Sequence, residues 1–304
     1  MAKVVYRKSG RRAAYPLVVV GALFLFGGAL LNLFWPKRTR IELENRSTAR
    51  FPAFSLASME NGNWQNSFST WMQDQFMLRD QWINTQRAVD EILFQKVEEG
   101  GILLGKDHWM FTKLFTLDTT TQKQLQKNVQ AVTEFSAKYP GKVTFLLAPS
   151  ASVIYPEELP SGAPMIDENA MLDEIFSQVG QNASVLDLRQ AFTERKDEYL
   201  YFKTDHHWTP NGAYHAYEEF CALKGLTPFD REAHTAETIE DFQGTHYSAT
   251  RLWNVQNDSI TYYPMENAMT IFQVNGEAQY EPLRTENLIN TEKFATRDKY
   301  AAFL

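Results

Sequence analysis

One cysteine, Cys221, stands alone in a chain of 304 residues, so no disulfide can form within it. It lies in an apolar stretch and reads as a small core residue. Cysteine motifs of the kind that hold zinc are missing too. No glycine loop has nucleotide-binding spacing, and no segment repeats at a fixed period. Ser150 and Ser152 follow the first apolar strand-like run, but neither lies in a G-x-S-x-G or G-D-S setting, so both are expected in loop roles. A formal net charge of −7 leaves no basic surplus for a nucleic-acid partner.

What the chain does have begins at its amino end. Lys3, Arg7, Lys8, Arg11 and Arg12 precede an uncharged apolar run from Ala13 to Trp35, long enough to cross a bilayer as a helix. Five cations before the run outweigh Lys37, Arg38 and Arg40 after it, which keeps the basic tail, 1–12, in the cytoplasm. A cleavable signal peptide would have a shorter apolar region ending in a small-residue motif, and Gly27-Gly28-Ala29 matches that poorly. The run over 13–35 is therefore expected to be a retained single-pass anchor in the cell membrane, with the main domain outside the cytoplasm.

Residues 36–61 are polar and aperiodic and read as a stalk. Apolar residues then return at helical spacing (Phe68, Trp71, Met72, Phe76, Trp82, Ile83, Val89, Ile92, Leu93), a stripe expected to pack as core. Ile102 to Phe111 reads as a tight hairpin with His108 in its turn. Asp118 to Tyr139 is expected to be a helix, Lys142 to Pro149 a buried parallel strand, Asp167 to Val179 a helix and Ser184 to Leu188 a second strand. This alternation is an α/β pattern. Beyond Pro228, short strand-like runs over Phe242–Thr250, Ser259–Pro264 and Met269–Val274, with a turn at Asn275-Gly276, suggest a small β insertion over 228–285. His246 and Ser248 are expected on its strand surface.

The chemistry concentrates in Tyr199 to Gly225. Tyr199–Phe202 reads as a short strand, and a helix follows that Thr209 caps, Pro210 opens and Gly225 ends. Asp205, His206, His207 and Trp208 lie between them, where open α/β folds place their reactive loops. In an extended chain Asp205 and His207 share one side and His206 faces the other. A carboxylate beside an imidazole is the orienting half of a nucleophilic triad. The same residues, with His215, are also possible metal ligands, although H-E-x-x-H spacing is absent. A third reading is an unreactive capped turn, with Trp208 in the core and the histidines as hydrogen-bonders.

The stretch T-D-H-H-W-T-P-N-G-A-Y, from Thr204 to Tyr214, resembles the signature of the bacterial DHHW protein family. More distantly it is similar to the alginate O-acetylation proteins of the SGNH hydrolase-like superfamily, whose motif is D-x-H-W. F-S-T-W-M-Q-D-Q-F-M-L-R-D from Phe68, L-L-G-K-D-H-W-M-F from Leu103, L-A-P-S-A-S-V-I-Y-P-E-E-L-P from Leu147 and F-Q-G-T-H-Y-S from Phe242 agree in order. The resemblance implies an SGNH/flavodoxin-like three-layer α/β core over 62–304. It also implies a Ser-His-Asp triad in which Asp205 and His207 are catalytic and His206, Trp208 and Thr209 support the site. In such relatives the serine follows the Asp-His pair on a D-S turn. Asp258-Ser259 is the literal match here, but it falls in the β insertion. The last residues, Tyr300 to Leu304, are apolar like the middle of a domain. The expectation is thus a copy whose carboxyl-terminal part, serine included, is missing.

By this resemblance the chain is an O-acyltransferase or acylesterase acting on cell-surface or secreted polysaccharide, with no cofactor or metal and with a membrane-bound acyltransferase as partner. A non-catalytic envelope scaffold or carbohydrate-binding subunit is the alternative, and a metal-dependent hydrolase built on Asp205, His206 and His207 is the third.

Overall fold

The computed structural model describes residues 14–264, 268–275, 279–287 and 289–303. The expected basic tail, and Gly276 of the expected turn, lie outside these residues. The chain falls into two compact units, Met1–Thr85 and Gln86–Leu304.

The first unit opens with α1 (Ala14–Phe34), whose residues Tyr15–Phe34 are long and apolar enough to cross a membrane. Asn32, near the end of α1, is buried: its Oδ1 accepts the Met77 N–H at 2.7 Å and its Nδ2 lies 3.5 Å from Met72 Sδ. A two-residue ladder, β1 (Arg40–Ile41) and β2 (Arg46–Ser47), follows, turned by Asn45 at φ 46°. Ser55 caps α2 (Leu56–Glu60), α3 (Asn63–Asp74) follows, and α4 (Arg79–Phe94) runs from this unit into the second. Asp74 is 2% exposed and takes bonds of 2.7 and 3.0 Å from Arg46 and 2.8 Å from the Ala49 N–H. Gln75 exchanges two bonds with the Arg38 backbone, at 2.9 and 2.8 Å. Residues read from the sequence as stalk thus hold the end of α3.

Polar groups occupy this interior, and the apolar stripe is correspondingly not core. Asp74 is the one buried residue on α3 and none is buried on α4, while Phe76, Trp82, Ile92 and Leu93 are exposed.

After α4 the second unit continues with an antiparallel sheet of β3 (Glu98–Glu99), β4 (Ile102–Leu104) and β5 (Met110–Thr112). Its β4–β5 connection contains Asp107 and His108 with left-handed φ of 46° and 66°, so His108 is a turn residue. Next come α5 (Thr119–Lys138), β6 (Thr144–Leu146), α6 (Ala151–Ile154), α7 (Glu168–Val179), β7 (Ser184–Leu186), α8 (Arg189–Glu194) and α9 (Pro210–Lys224). β6 and β7 pair in parallel, Phe145 against Val185. Side chains alternate across a strand, and here the alternation separates two cores. Phe145 and Leu147 pack with Val129 of α5 and Ile175 and Val179 of α7. Leu146 and Leu186 pack on the other side with Ile154, Phe192 and Ala216 of α6, α8 and α9. The result is the expected helix–sheet–helix α/β layering around a small, open sheet. Cys221 is buried, as its place on α9 implies.

Two segments depart from expectation. Tyr199–Phe202 is no strand: Tyr199 has φ 56°, and pairing is limited to one bridge, Tyr201 to Trp208. Its apolar run is still buried, Leu200 and Phe202 fully so. Beyond α9 lie β8 (Glu237–Phe242), α10 (Thr245–Thr250), β9 (Asp258–Tyr262), β10 (Ala268–Asn275) and β11 (Gln279–Asn287). The strand expected through Thr250 stops at Phe242, and Thr245–Thr250 is helical, because this turn's backbone binds the 204–205 loop rather than a neighbouring strand. β8 pairs with β9 and β10 with β11, both antiparallel.

Candidate active site

The site is a loop between a buried apolar run and a well-capped helix. Thr209 accepts the Gly212 N–H at 3.1 Å, donates its hydroxyl to Tyr199 O at 2.7 Å, and sends its own N–H to Leu200 O at 2.8 Å. Pro210 opens α9, and Gly225, at φ 65°, closes it. Trp208 is half-buried against Phe192 and the core below. With its two ends fixed in this way, the intervening residues have little freedom.

Asp205 is 3% exposed. Its Oδ1 accepts both the His207 N–H at 2.9 Å and His207 Nδ1–H at 2.6 Å, and its Oδ2 accepts the Thr245 N–H at 2.6 Å. Burial pushes this carboxyl up, but the N–H bonds from Thr245 and His207 outweigh it and hold the group below its ordinary value. With Nδ1 donating to the carboxylate, the lone pair of a neutral His207 is left on Nε2. The ring is partly exposed and stacks on Tyr300, with centroids 4.8 Å apart and planes 16° apart. Tyr300 also lines an apolar cavity of about 630 Å³ together with Pro210, Ala213, Tyr217 and Phe303.

His206 does not face away. Its centroid is 3.9 Å from that of His207, and its Nδ1 lies 2.8 Å from Thr245 Oγ1 and 3.6 Å from Asp205 Oδ1. The expectation of opposite sides assumed an extended chain. Instead the Asp205 side chain bonds the backbone two residues on, which bends the loop as an Asx turn does. Burial lowers the pKa of His206, His207 adds to this, and Asp205 opposes it.

Several supporting residues carry no local sequence signal. Asp258 is buried and accepts from Lys203 N–H at 2.9 Å, from Thr204 N–H at 2.8 Å, from the Thr204 hydroxyl at 2.6 Å and from the Tyr199 hydroxyl. The turn before α10 adds Gly244 N–H to Thr204 Oγ1 at 3.0 Å and Tyr247 N–H to Thr204 O at 3.1 Å. A Cβ on Gly244 would come within 2.3 Å of both Asp205 Cβ and Oδ2. Its backbone angles are extended, so glycine is required there for space and not for conformation. His246 is also buried, with its Nε2 3.0 Å from Thr112 Oγ1, and burial lowers its pKa to about 4.

Other candidates lie elsewhere. The Ser150 hydroxyl donates to Glu168 Oε2 at 2.7 Å and meets Ser152 at 2.7 Å. Ser248 donates to Gly244 O at 3.1 Å. Among the described residues no serine hydroxyl bonds the His207 ring. Asp258 starts β9 as a buried clamp, and Ser259 follows it into the strand. His215 is held on α9 between Glu198 at 2.8 Å and Glu218 at 2.6 Å. One ligand atom from each of Asp205, His206 and His207 falls within 4.8 Å of the others, a spread that a small ion can bridge. The direct Asp205–His207 bond, however, is the geometry of an orienting pair.

The family described as SGNH hydrolase-like domain, acetyltransferase AlgX, matches residues 102–256, just over half of the chain. A probable alginate O-acetylase AlgJ of Pseudomonas syringae is 26% identical over 194 residues, covering 62% of this chain and 49% of the relative. A second, from Pseudomonas fluorescens, is 24% identical over 216 residues, covering 68% and 55%. The chain thus spans about half the length of the curated relatives it matches. A DHHW family protein from Eubacterium siraeum superposes with a TM-score of 0.48 at 25% identity, covering 60% of this chain and 61% of that one. The O-acetyltransferase domain of Pseudomonas putida AlgJ gives 0.41 at 21% identity, covering 53% and 63%. With the family matched across the whole D-H-H-W region and its flanking layers, the chain belongs to the SGNH hydrolase-like family of the acetyltransferase AlgX.

Proposed function

We propose that this chain is an extracytoplasmic, membrane-anchored subunit of SGNH-type O-acyl transfer to a cell-surface or secreted polysaccharide, with His207 as general base and Asp205 as its orienter. The observation that carries the reading is the 2.6 Å bond from His207 Nδ1 to a buried Asp205, itself held by the Thr245 N–H. Relatives named as alginate O-acetylases support the reaction class.

In this mechanism His207 Nε2 takes the proton of a serine hydroxyl as its oxygen attacks an acyl carbonyl. The imidazolium that forms is stabilised by Asp205, which stays ionised. The proton then passes to the leaving group, and an acyl-serine remains. A sugar hydroxyl, deprotonated by the same Nε2, attacks the acyl-serine, and its collapse returns the proton to the serine oxygen. Water in place of the sugar makes the reaction an esterase. The cavity beside Tyr300 offers space for the acceptor. Residues 1–12 stay in the cytoplasm, 13–35 cross the membrane, and the rest lies outside, beside a membrane-bound acyltransferase that hands acyl groups across the bilayer.

A second reading, a non-catalytic envelope scaffold or carbohydrate-binding subunit, is favoured by Ser150 and Ser248 being engaged away from His207. The two readings separate in cells. In a form that carries the triad serine, the O-acetyl content of extracted polysaccharide should fall to background in His207→Ala and stay appreciable in His206→Ala, at equal protein levels. Full acetylation in His207→Ala would overturn the catalytic reading.

A further inference from the structure

The aromatic stripe of the first unit finds no core, and its position relative to α1 says what covers it. On α3, Trp64, Phe68 and Trp71 recur at helical spacing on one face. Trp64 stacks on Phe68 with centroids 5.0 Å apart, and Phe51 and Phe54 close over these rings, edge-on to Trp71 at 4.9 Å and to Trp64 at 6.1 Å. The outer rings of this cluster face solvent: Phe51 is 60% exposed and Phe54 is 65% exposed. Phe76, which follows α3, is 47% exposed. Aromatic groups cost free energy when left in water, and this many in one patch mark an interaction surface.

The bonds of Asn32 fix where the patch meets α1. Asn32 is two residues from the end of α1, about 3 Å along the axis at the helical rise. Its side chain binds Met72 and the Met77 N–H, so the end of α3 and the residues after it lie at the level of the last turn of α1. Lys37, three residues past α1, donates to Asn32 O at 2.9 Å and holds its ammonium 5.6 Å over the Trp71 ring. Apolar helix end, the Trp71 ring and a lysine head thus sit at one level. That is the order of chemistry met on leaving a bilayer: acyl chains, then the amphipathic interface, then anionic phosphates.

We infer that the aromatic face formed by Phe51, Phe54, Trp64, Phe68, Trp71 and Phe76 lies in the lipid headgroup region, so that the membrane contact comprises α1 and a collar beside it. The inference rests on the proposed reading of α1 as a membrane anchor. The patch is continuous with the helix end through the Asn32 bonds, and Lys37 supplies the charge that suits anionic phospholipid.

The test uses the full chain with Cys221→Ala, carrying single spin labels and reconstituted in phosphatidylethanolamine–phosphatidylglycerol vesicles. Labels at Phe51→Cys and Phe76→Cys report the collar, Leu25→Cys reports α1, and Lys123→Cys on α5 reports water. Phe51 and Phe76 are already about half outside the protein or more, so their replacement removes only edge contacts and leaves the Trp64–Phe68 stack in place. Power saturation with oxygen and a nickel chelate should place positions 51 and 76 between the deep label at 25 and the aqueous label at 123, with an oxygen-to-nickel ratio at both several-fold above that at 123 and well below that at 25. If 51 and 76 match 123 while 25 is deep, the collar inference fails and the anchor reading stands. If 25 is aqueous too, both fall. Shielding of 51 and 76 that appears only with a co-reconstituted membrane protein would mean a protein-docking face and overturn the lipid assignment.

Discussion

Each of the two units contains a buried carboxylate, and the two are neutralised in different ways. Asp74 meets a guanidinium: the hydrogen bond from Arg46 draws its pKa down against its own burial. Asp205 meets backbone N–H groups and an imidazole. A guanidinium keeps its charge at every accessible pH, so the Asp74 pair is a fixed strut. An imidazole can take up a proton and give it back, so in the proposed mechanism the charge opposite Asp205 changes during the reaction. The same burial therefore supports one unit and, in the proposed mechanism, serves chemistry in the other.

The sharpest way to break this contrast is Asp205→Asn. The amide preserves shape but favours the wrong His207 tautomer, and in a form of the protein that carries the triad serine acyl transfer should drop by about 10⁴. The melting transition should stay close to wild type, and a loss of transfer matched by unfolding would refute the division of labour. At the other carboxylate, Arg46→Ala should leave acyl transfer chemistry alone and cost stability instead. Arg46 is partly exposed and Asp74 is not, so roughly 2–4 kcal/mol is expected, between the values for surface and buried pairs. Denaturant unfolding of the full chain measures it, and a change under about 0.5 kcal/mol would show the strut to be idle.

Much of the site was legible because its signals are local. Thr209, Pro210 and Gly225 delimit α9 through groups within a turn of each end, and Asp205 lies two residues from His207. The clamp on the loop was not legible. Thr245 and Asp258 lie 40 and 53 residues beyond Asp205, and Thr245 acts through a backbone N–H that any residue but proline would offer. Tyr199–Phe202 misled because aromatic and apolar residues mark burial as readily as they mark strands. Phe242–Thr250 misled because tertiary bonds to Thr204 and Asp205 override the strand preference of its residues. The stripe on α3 and α4 has true helical period, but period alone does not say whether its face meets protein or another apolar medium.

The smallest effect concerns His246, the uncharged neighbour of this clamp. Its folded pKa of about 4 lies below the usual 6.5, so the folded protein binds fewer protons than the unfolded chain between those values. Stability should accordingly fall as pH drops from about 6.5 toward 4. At pH 5 the loss from this residue is about 2 kcal/mol relative to pH 7. His246→Leu should flatten that slope in unfolding measured at both pH values. An unchanged slope would mean that His246 stays charged inside the fold.

Gly244 bears on how this loop can vary over time. No amino acid but glycine lacks a β-carbon, and the space beside Asp205 admits none. Every missense change in that codon thus lands on the same obstruction, whatever chemistry the new side chain brings. Loop positions normally drift freely, so this one should behave as an island: in a saturation library selected for acetylated polysaccharide, position 244 should return to glycine. Escape would have to begin with a backbone shift that first makes room, so descendants lacking this glycine would carry a remodelled turn as well.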